Sequence, residues 1–177
     1  MESSGRSERS VEDMSLAVKE FVLWETHTTR LSLGFSRALE PVELSGMPTT
    51  IAPMLSVRRG SEAVAFYKKA FGARELYKIE APDGEIVAEL AVDDAKFWVA
   101  DESPDHQNFS PETVGGGTTR MVLVVADPKS VHAQAIAAGA RQIWPVHEEH
   151  GWLLGRVVDP FGHHWEIGKP MRPGVGE

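Results

Sequence analysis

Several side chains in this sequence have types and spacings suited to chemistry. In the run from Arg156 to Gly168, RVVDPFGHHWEIG, a histidine and a carboxylate stand two positions apart as His164 and Glu166. Side chains of a strand alternate faces, so this spacing puts His164, Glu166 and Gly168 on one side and His163, Trp165 and Ile167 on the other. A neighbouring carboxylate raises the proton affinity of an imidazole, which suits the pair to acid–base work. The competing reading is a histidine bonded across a sheet and a carboxylate paired with a cation. Arg120 is a candidate for holding an anionic group such as carboxylate or phosphate, or else for a rim salt bridge. His147-Glu148-Glu149-His150 offers nitrogen and oxygen donors, but its second histidine comes one residue too early for the helical zinc motif. Pro145 and Gly151 bracket it, so a solvated loop is expected, with a metal-holding flap over Glu166 as the alternative. Phe97, Trp144 and Trp152 are candidates for stacking a flat ligand. Gly115-Gly116-Gly117 lacks the Lys-Ser/Thr of a phosphate loop and reads as a hinge. There is no Gly-x-Ser-x-Gly, so a hydrolase elbow has no support.

The elements that must position these groups follow from local chemistry. Asp159-Pro160-Phe161-Gly162 supplies a proline-preset φ and a permissive glycine between two apolar-rich runs, which is a β-hairpin. Upstream, residues 50–58 read as a strand. Residues 61–71 read as a helix with Ser61 as N-cap, an apolar stripe of Val64, Tyr67 and Phe71, and Gly72 as its left-handed end. Strands are expected around 75–80, 85–92 and 96–101, with turns at Pro82-Asp83-Gly84 and Asp93-Asp94. Residues 102–117 are rich in proline, glycine and small polar groups and read as an unpacked linker. The order then restarts. A strand covers 119–126, Asp127-Pro128 opens a helix that runs to Ala138, Gly139 closes it, and a strand covers 140–146 ahead of the hairpin.

That order is an internal repeat. Gly72-Ala73-Arg74 returns 67 positions later as Gly139-Ala140-Arg141, and the same offset sets Met54 on Met121, Trp98 on Trp165 and Val99 on Glu166. Each half has one helix and a sheet too small to bury its own face, so the halves are expected to pair. Both tryptophans are expected to face the helices.

Composition narrows the partners. The chain has 177 residues, a net charge of −8 and no cysteine. One sizeable domain is expected, without disulfides, thiolate metal sites or a cysteine nucleophile. The acidic balance argues against nucleic acid or an anionic membrane as the main partner. No apolar run approaches a membrane span and no signal-peptide order is present, so the expected location is cytoplasmic. Residues 1–46 form an N-terminal extension: 1–10 are expected to be disordered, 11–24 can form a helix capped by Ser10, and Met47 is a candidate alternative start.

Two tandem βαβββ modules, closed by a DPFGHHWEI hairpin, resemble the vicinal oxygen chelate superfamily of glyoxalases, bleomycin-resistance proteins and extradiol dioxygenases. The nearest texture is its PhnB-like branch. The resemblance covers about residues 50–170 and implies an α+β fold in which the modules curl into a concave, incompletely closed barrel. The domain is then 47–172, with module one at about 50–101, the linker at 102–117 and module two at about 118–170. The resemblance also implies a homodimer, often with modules exchanged between subunits, and a divalent ion held by His or Gln on the first strands and Glu on the last. Carried over position by position, those places hold Ala52, Val99, Thr119 or Arg120, and Glu166. Alanine and valine cannot ligate, so no metal is expected; if one is held, Glu166 and His164 are its ligands.

The expected cleft is lined by Phe97, Val99, Arg120, Trp152, Val157, His164 and Glu166, with Glu166 and His164 as the catalytic pair should there be catalysis. The leading reading is a small-molecule binder without the metal site. The alternatives are a divergent metal-dependent lyase, isomerase or dioxygenase, and an accessory module whose residues 11–46 dock a partner.

Overall fold

The computed structural model describes residues 49–171, and the expectations for the N-terminal extension, the helix at 11–24 and Met47 lie outside them. The first module runs β1 (Met54–Val57), α1 (Gly60–Phe71), β2 (Arg74–Glu80), β3 (Ile86–Val92) and β4 (Ala95–Asp101). The second runs β5 (Arg120–Val124), α3 (Pro128–Ala138), β6 (Arg141–Glu149), β7 (Trp152–Val158) and β8 (His164–Pro170). Between them lies α2 (Pro111–Val114). The two sheets are separate and have the same strand order, β1-β4-β3-β2 and β5-β8-β7-β6. In each, the first strand pairs in parallel with the last and the other pairs are antiparallel. The α+β class and the module order are as expected; the sheets are not closed into a barrel. No helix among the described residues is long and apolar enough to cross a membrane.

Helix ends show local and distant causes side by side. Gly72 ends α1 at φ 67°, and Asp127 caps α3 by accepting the Ser130 N–H at 3.1 Å with Pro128 behind it. Ser61 is not a cap. The N-cap is Arg59, whose side chain makes no capping bond. The carboxylate of Asp101, at the end of β4, instead accepts the Gly60 N–H at 2.8 Å and the Ile86 N–H at 2.9 Å. A carboxylate near the helix N-terminus also favours the dipole.

The segment 102–117 is packed, which corrects the linker reading. Ser110 is fully buried and caps α2 by accepting the Thr113 N–H. Glu102 accepts from Ser110 N at 2.8 Å and from Thr113 Oγ1 at 2.7 Å. Polar groups suited to a solvated loop here satisfy one another.

The helices α1 and α3 and the inner faces of both sheets share one core. Tyr67, Phe71, Phe97 and Trp165 meet with ring centroids 4.6–6.1 Å apart, mostly edge-on or tilted. Tyr67, Val57, Leu90, Val99, Val157 and Ile167 are among the largest side chains with no more than a trace of exposure. Each such burial contributes about 1.5–3 kcal/mol.

The repeat holds, with an offset of 67 in the middle strands, where Arg74↔Ala91 returns as Arg141↔Val158, but of 68 in the first and last strand of each module, where Met54↔Trp98 returns as Val122↔Glu166. Leu55 and Leu123 both face the core, as do Phe97 and Trp165. The helices begin 68 apart, at Gly60 and Pro128, whereas their closing glycines, Gly72 and Gly139, lie 67 apart because α3 is one residue shorter. A one-residue error reverses every side chain in a strand. Trp98 therefore matches Glu166, not Trp165, and lies on the open face, where Tyr77 packs against it at 6.2 Å. Only Trp165 faces the helices as expected.

Candidate functional site

The open face of the second sheet gathers the charged candidates. Residues paired across a sheet share a face, so the register lays out its rows. One row reads Arg120 (β5), His164 (β8), Val158 (β7) and Arg141 (β6). The next reads Val122, Glu166, Arg156 and Trp144, and a third begins Val124, Gly168 and Leu154 and ends at His147. The hairpin positions its own pair: Val158 and His164 flank Asp159–His163, so Arg156 falls opposite Glu166.

Arg120 Nε lies 3.1 Å from Glu166 Oε1, with the arginine side chain 55% exposed and the carboxylate 17%. The salt-bridge reading of Arg120 is the one realised in this structure. Its register with His164 also decides between Thr119 and Arg120: the arginine shares the face of Glu166. Val122 and Val124 on the same strand are more than half exposed. Arg156 lies over the Trp144 ring, 5.2 Å from its centroid.

The imidazole of His164 behaves opposite to the sequence-based expectation. Burial first, then the charges of Arg156, Arg141 and Arg120, hold it below its ordinary value, against an opposing pull from Asp159. The imidazole Nδ1, like Nε of Arg156, is buried without a hydrogen-bond partner.

Three expected cleft residues are elsewhere. Phe97, Val99 and Val157 are buried in the core beneath the helices, on the faces opposite the open ones. Val157 is fully buried, and its neighbour Arg156 takes the open-face place. Trp152 shares the open face but lies at its far end, opposite Pro170 and Glu149. His147, Glu148 and Glu149 belong to β6, with His150 and Gly151 in the turn, so they form an exposed hairpin tip rather than a free flap. There Glu149 is held by His147 at 3.3 Å and His150 at 3.4 Å. His163 is structural, its Nε2 2.9 Å from the Ser56 carbonyl oxygen.

Sequence reasoning missed Arg141 and Arg156. The hairpin itself carries the signal for Arg156, since counting back from the turn sets it across from Glu166. Arg141 needed the register of β6, which two irregularities shift.

A superfamily metal site would draw on the ends of the paired strands. With the offset at 68 in the first and last strands, those positions are Ala52, Trp98, Arg120 and Glu166. Among the described residues no three His, Cys, Asp or Glu side chains form a group able to hold a metal ion.

Residues 54–168 match the family model described as a glyoxalase-like domain. This chain belongs to the glyoxalase-like domain family. An uncharacterised Mycobacterium bovis protein is 33% identical over 127 residues, 69% of this chain and 84% of its own. Among solved structures, an Arabidopsis thaliana gene product is 30% identical with a TM-score of 0.51, covering 68% of this chain and 96% of that one. The fosfomycin resistance protein FosX from Listeria monocytogenes, complexed with Mn(II) and sulfate, has a TM-score of 0.54 at 11% identity, covering 71% and 95%. At that identity FosX speaks for the fold alone.

Proposed function

We propose that this glyoxalase-like protein binds a small organic molecule on the open face of its second sheet and does so without a divalent metal. The observation that carries the reading is the Arg120–Glu166 pair. Glu166 is the family's ligand position, and here a guanidinium holds it. A second cation brought to that carboxylate would meet the repulsion of Arg120, with Arg156 paired across from Glu166 on β7. Of the other carried-over positions, Ala52 has no donor and Trp98 has only an indole N–H, which cannot ligate. The residues present do not fit the metal.

What remains suits recognition: exposed Val122 and Val124, the Trp144 ring and a paired carboxylate on a rigid sheet. The first sheet's open face, with Met54 and Tyr77 nearly half exposed, is likewise uncovered among the described residues. In a homodimer that exchanges modules, the first sheet of one copy would wall the second sheet of the other and close the cleft. The binding role and the homodimer belong to one reading, with PhnB-like proteins as the nearest branch and the cytoplasm as the location.

The test is a thermal-shift screen of the full chain over divalent metals, electrophiles, thiols, aromatics and antibiotics, beside metal analysis of protein purified without chelator. A metal-independent rise in melting temperature with an organic compound is expected, since a ligand of the native state stabilises it by mass action. About one equivalent of tightly held Ni, Zn, Mn or Fe would overturn the reading in favour of a metal-dependent enzyme.

A further inference from the structure

The open face carries more positive charge than its ion pair uses. Three arginines, Arg120, Arg141 and Arg156, occupy two adjacent rows around His164. One carboxylate, Glu166, shares those rows and is paired with Arg120. Among the described residues neither Arg141 nor Arg156 has a carboxylate partner. This is a cationic patch on a chain whose net charge is −8.

The oxygens of the nearby acids are engaged by other groups. Asp159 lies just past Val158, but its Oδ1 accepts the N–H groups of Phe161 and His163 and its Oδ2 accepts from Tyr67 and Trp165. Glu149, further along β6, is engaged by His147 and His150. Two polar atoms in the patch also lack partners: the donor Nε of Arg156 is buried and unbonded, and the ring nitrogen Nδ1 of His164 is in the same condition. A buried polar group without a partner costs free energy that a ligand acceptor or donor recovers. Beside them, the Trp144 ring under Arg156 and the exposed side chain of Val122 offer apolar contact in the same row.

We infer that Arg141 and Arg156, with Arg120, form an oxyanion-binding subsite over His164, and that the ligand is a small organic anion whose flat or apolar body rests against Trp144 and Val122. This rests on the reading of the open face as the binding face and adds the ligand's chemical class. Guanidinium groups match carboxylate and phosphate oxygens with paired donors, which makes arginine the appropriate residue for either.

Three probes of one shape separate charge from surface: 2-naphthoate, 2-naphthyl phosphate and uncharged 2-naphthamide. Each is titrated into the full chain at fixed ionic strength, by calorimetry and by Trp144-dependent fluorescence quenching, since screening would otherwise obscure the charge effect. At least one anion is expected to bind about tenfold or more tightly than the amide, and comparing the two anions tells carboxylate from phosphate. Arg141→Gln, at an exposed position, is expected to remove most of that preference while leaving amide binding and the melting temperature unchanged. Arg156→Gln should act likewise; if it fails to fold, Arg141→Gln carries the test. Equal binding of anion and amide, or an anion preference that survives Arg141→Gln, overturns the subsite and leaves the binding face standing. Absence of binding by all three probes also overturns the subsite as described, and the separate compound screen then decides the broader reading.

Discussion

Tyr67, on the helix of the first module, donates its hydroxyl to Asp159, in the hairpin of the second, at 2.7 Å. The same carboxylate oxygen accepts Trp165 Nε1 at 2.9 Å, and the other accepts the N–H groups of Phe161 and His163. One buried carboxylate thus shapes the hairpin turn and ties the modules together. Burial first, then the charge of Asp159, pushes the Tyr67 hydroxyl well above its ordinary value, so it stays a donor. Tyr67→Phe removes one bond to a charged acceptor and is expected to cost about 1.5–3 kcal/mol. Asp159→Ala leaves four donors without their acceptor and should cost more. Chemical denaturation with an unchanged slope measures both; a Tyr67→Phe midpoint equal to that of the parent would show that the link carries no net stability.

Gly155 in β7 marks a close approach rather than a turn. A Cβ there would lie 2.7 Å from Val146 Cγ2 and 2.9 Å from His132 Cδ2. His132 is buried and bonded to the Trp144 carbonyl oxygen at 3.1 Å, so it has little freedom to retreat. Gly155→Ala is expected to destabilise by about 1–3 kcal/mol through overpacking. Gly117, whose added Cβ would meet only Thr119 O at 3.9 Å, is the control. Gly117→Ala should be neutral or stabilising by about 0.4–1 kcal/mol, because it restricts the unfolded chain. Thermal unfolding of the two variants side by side checks the contrast.

These sites show what was legible in the sequence. The hairpin, both modules, Gly72 as a helix end and Asp127-Pro128 as a helix start were readable because each depends on chemistry within a few residues. The Asp101 cap of α1 was not, because its carboxylate arrives from a strand 41 residues away. The packing of 102–117 was hidden for a different reason: Glu102 and Ser110 are only eight residues apart, but each reads as a solvated polar group until they are seen to satisfy each other. The cleft list failed through parity. Taking the repeat at 67 rather than 68 in the last strands moved Val99 and Trp98 to each other's faces, and Val157 stood in the list where its neighbour Arg156 takes the open face. Glu166, His164 and Arg120 share one face, as the cleft list had them, but the charges around His164 include Arg141 and Arg156, which only the register brings in.

His164 gives the fold a pH dependence with a definite sign. Its folded-state proton affinity is depressed below the ordinary 6.5 by burial and by three arginines. The unfolded chain therefore binds the proton more readily, so this contribution is fully present above about pH 6.5 and is lost as the pH falls toward the folded value. His164→Gln keeps a polar side chain and cannot titrate. It is expected to flatten the decline in melting temperature between about pH 6.5 and 5 relative to the parent. An identical decline in both proteins would assign the acid sensitivity to other groups.

Arg120 and Glu166 make the metal question accessible to a gain of function. Their ion pair, with the arginine half exposed, is expected to contribute no more than about 1 kcal/mol, measured as the coupling in an Arg120→Gln, Glu166→Gln double-mutant cycle. If Arg120 is what makes the site unsuitable for a cation, Arg120→His should reverse this. The substitution removes the guanidinium that holds Glu166 and sets an imidazole in register with His164, on the face shared with the carboxylate. Two imidazoles and one carboxylate form a donor set suited to zinc or nickel. Addition of Zn(II) or Ni(II) should then raise the melting temperature of Arg120→His, by about 2.7 kcal/mol of stability at a hundredfold excess over the dissociation constant, and leave the parent unchanged. A parent that responds equally would mean that the guanidinium does not exclude a metal. A variant that folds without responding would show that the geometry of β5 and β8, not the charge of Arg120, is what excludes it.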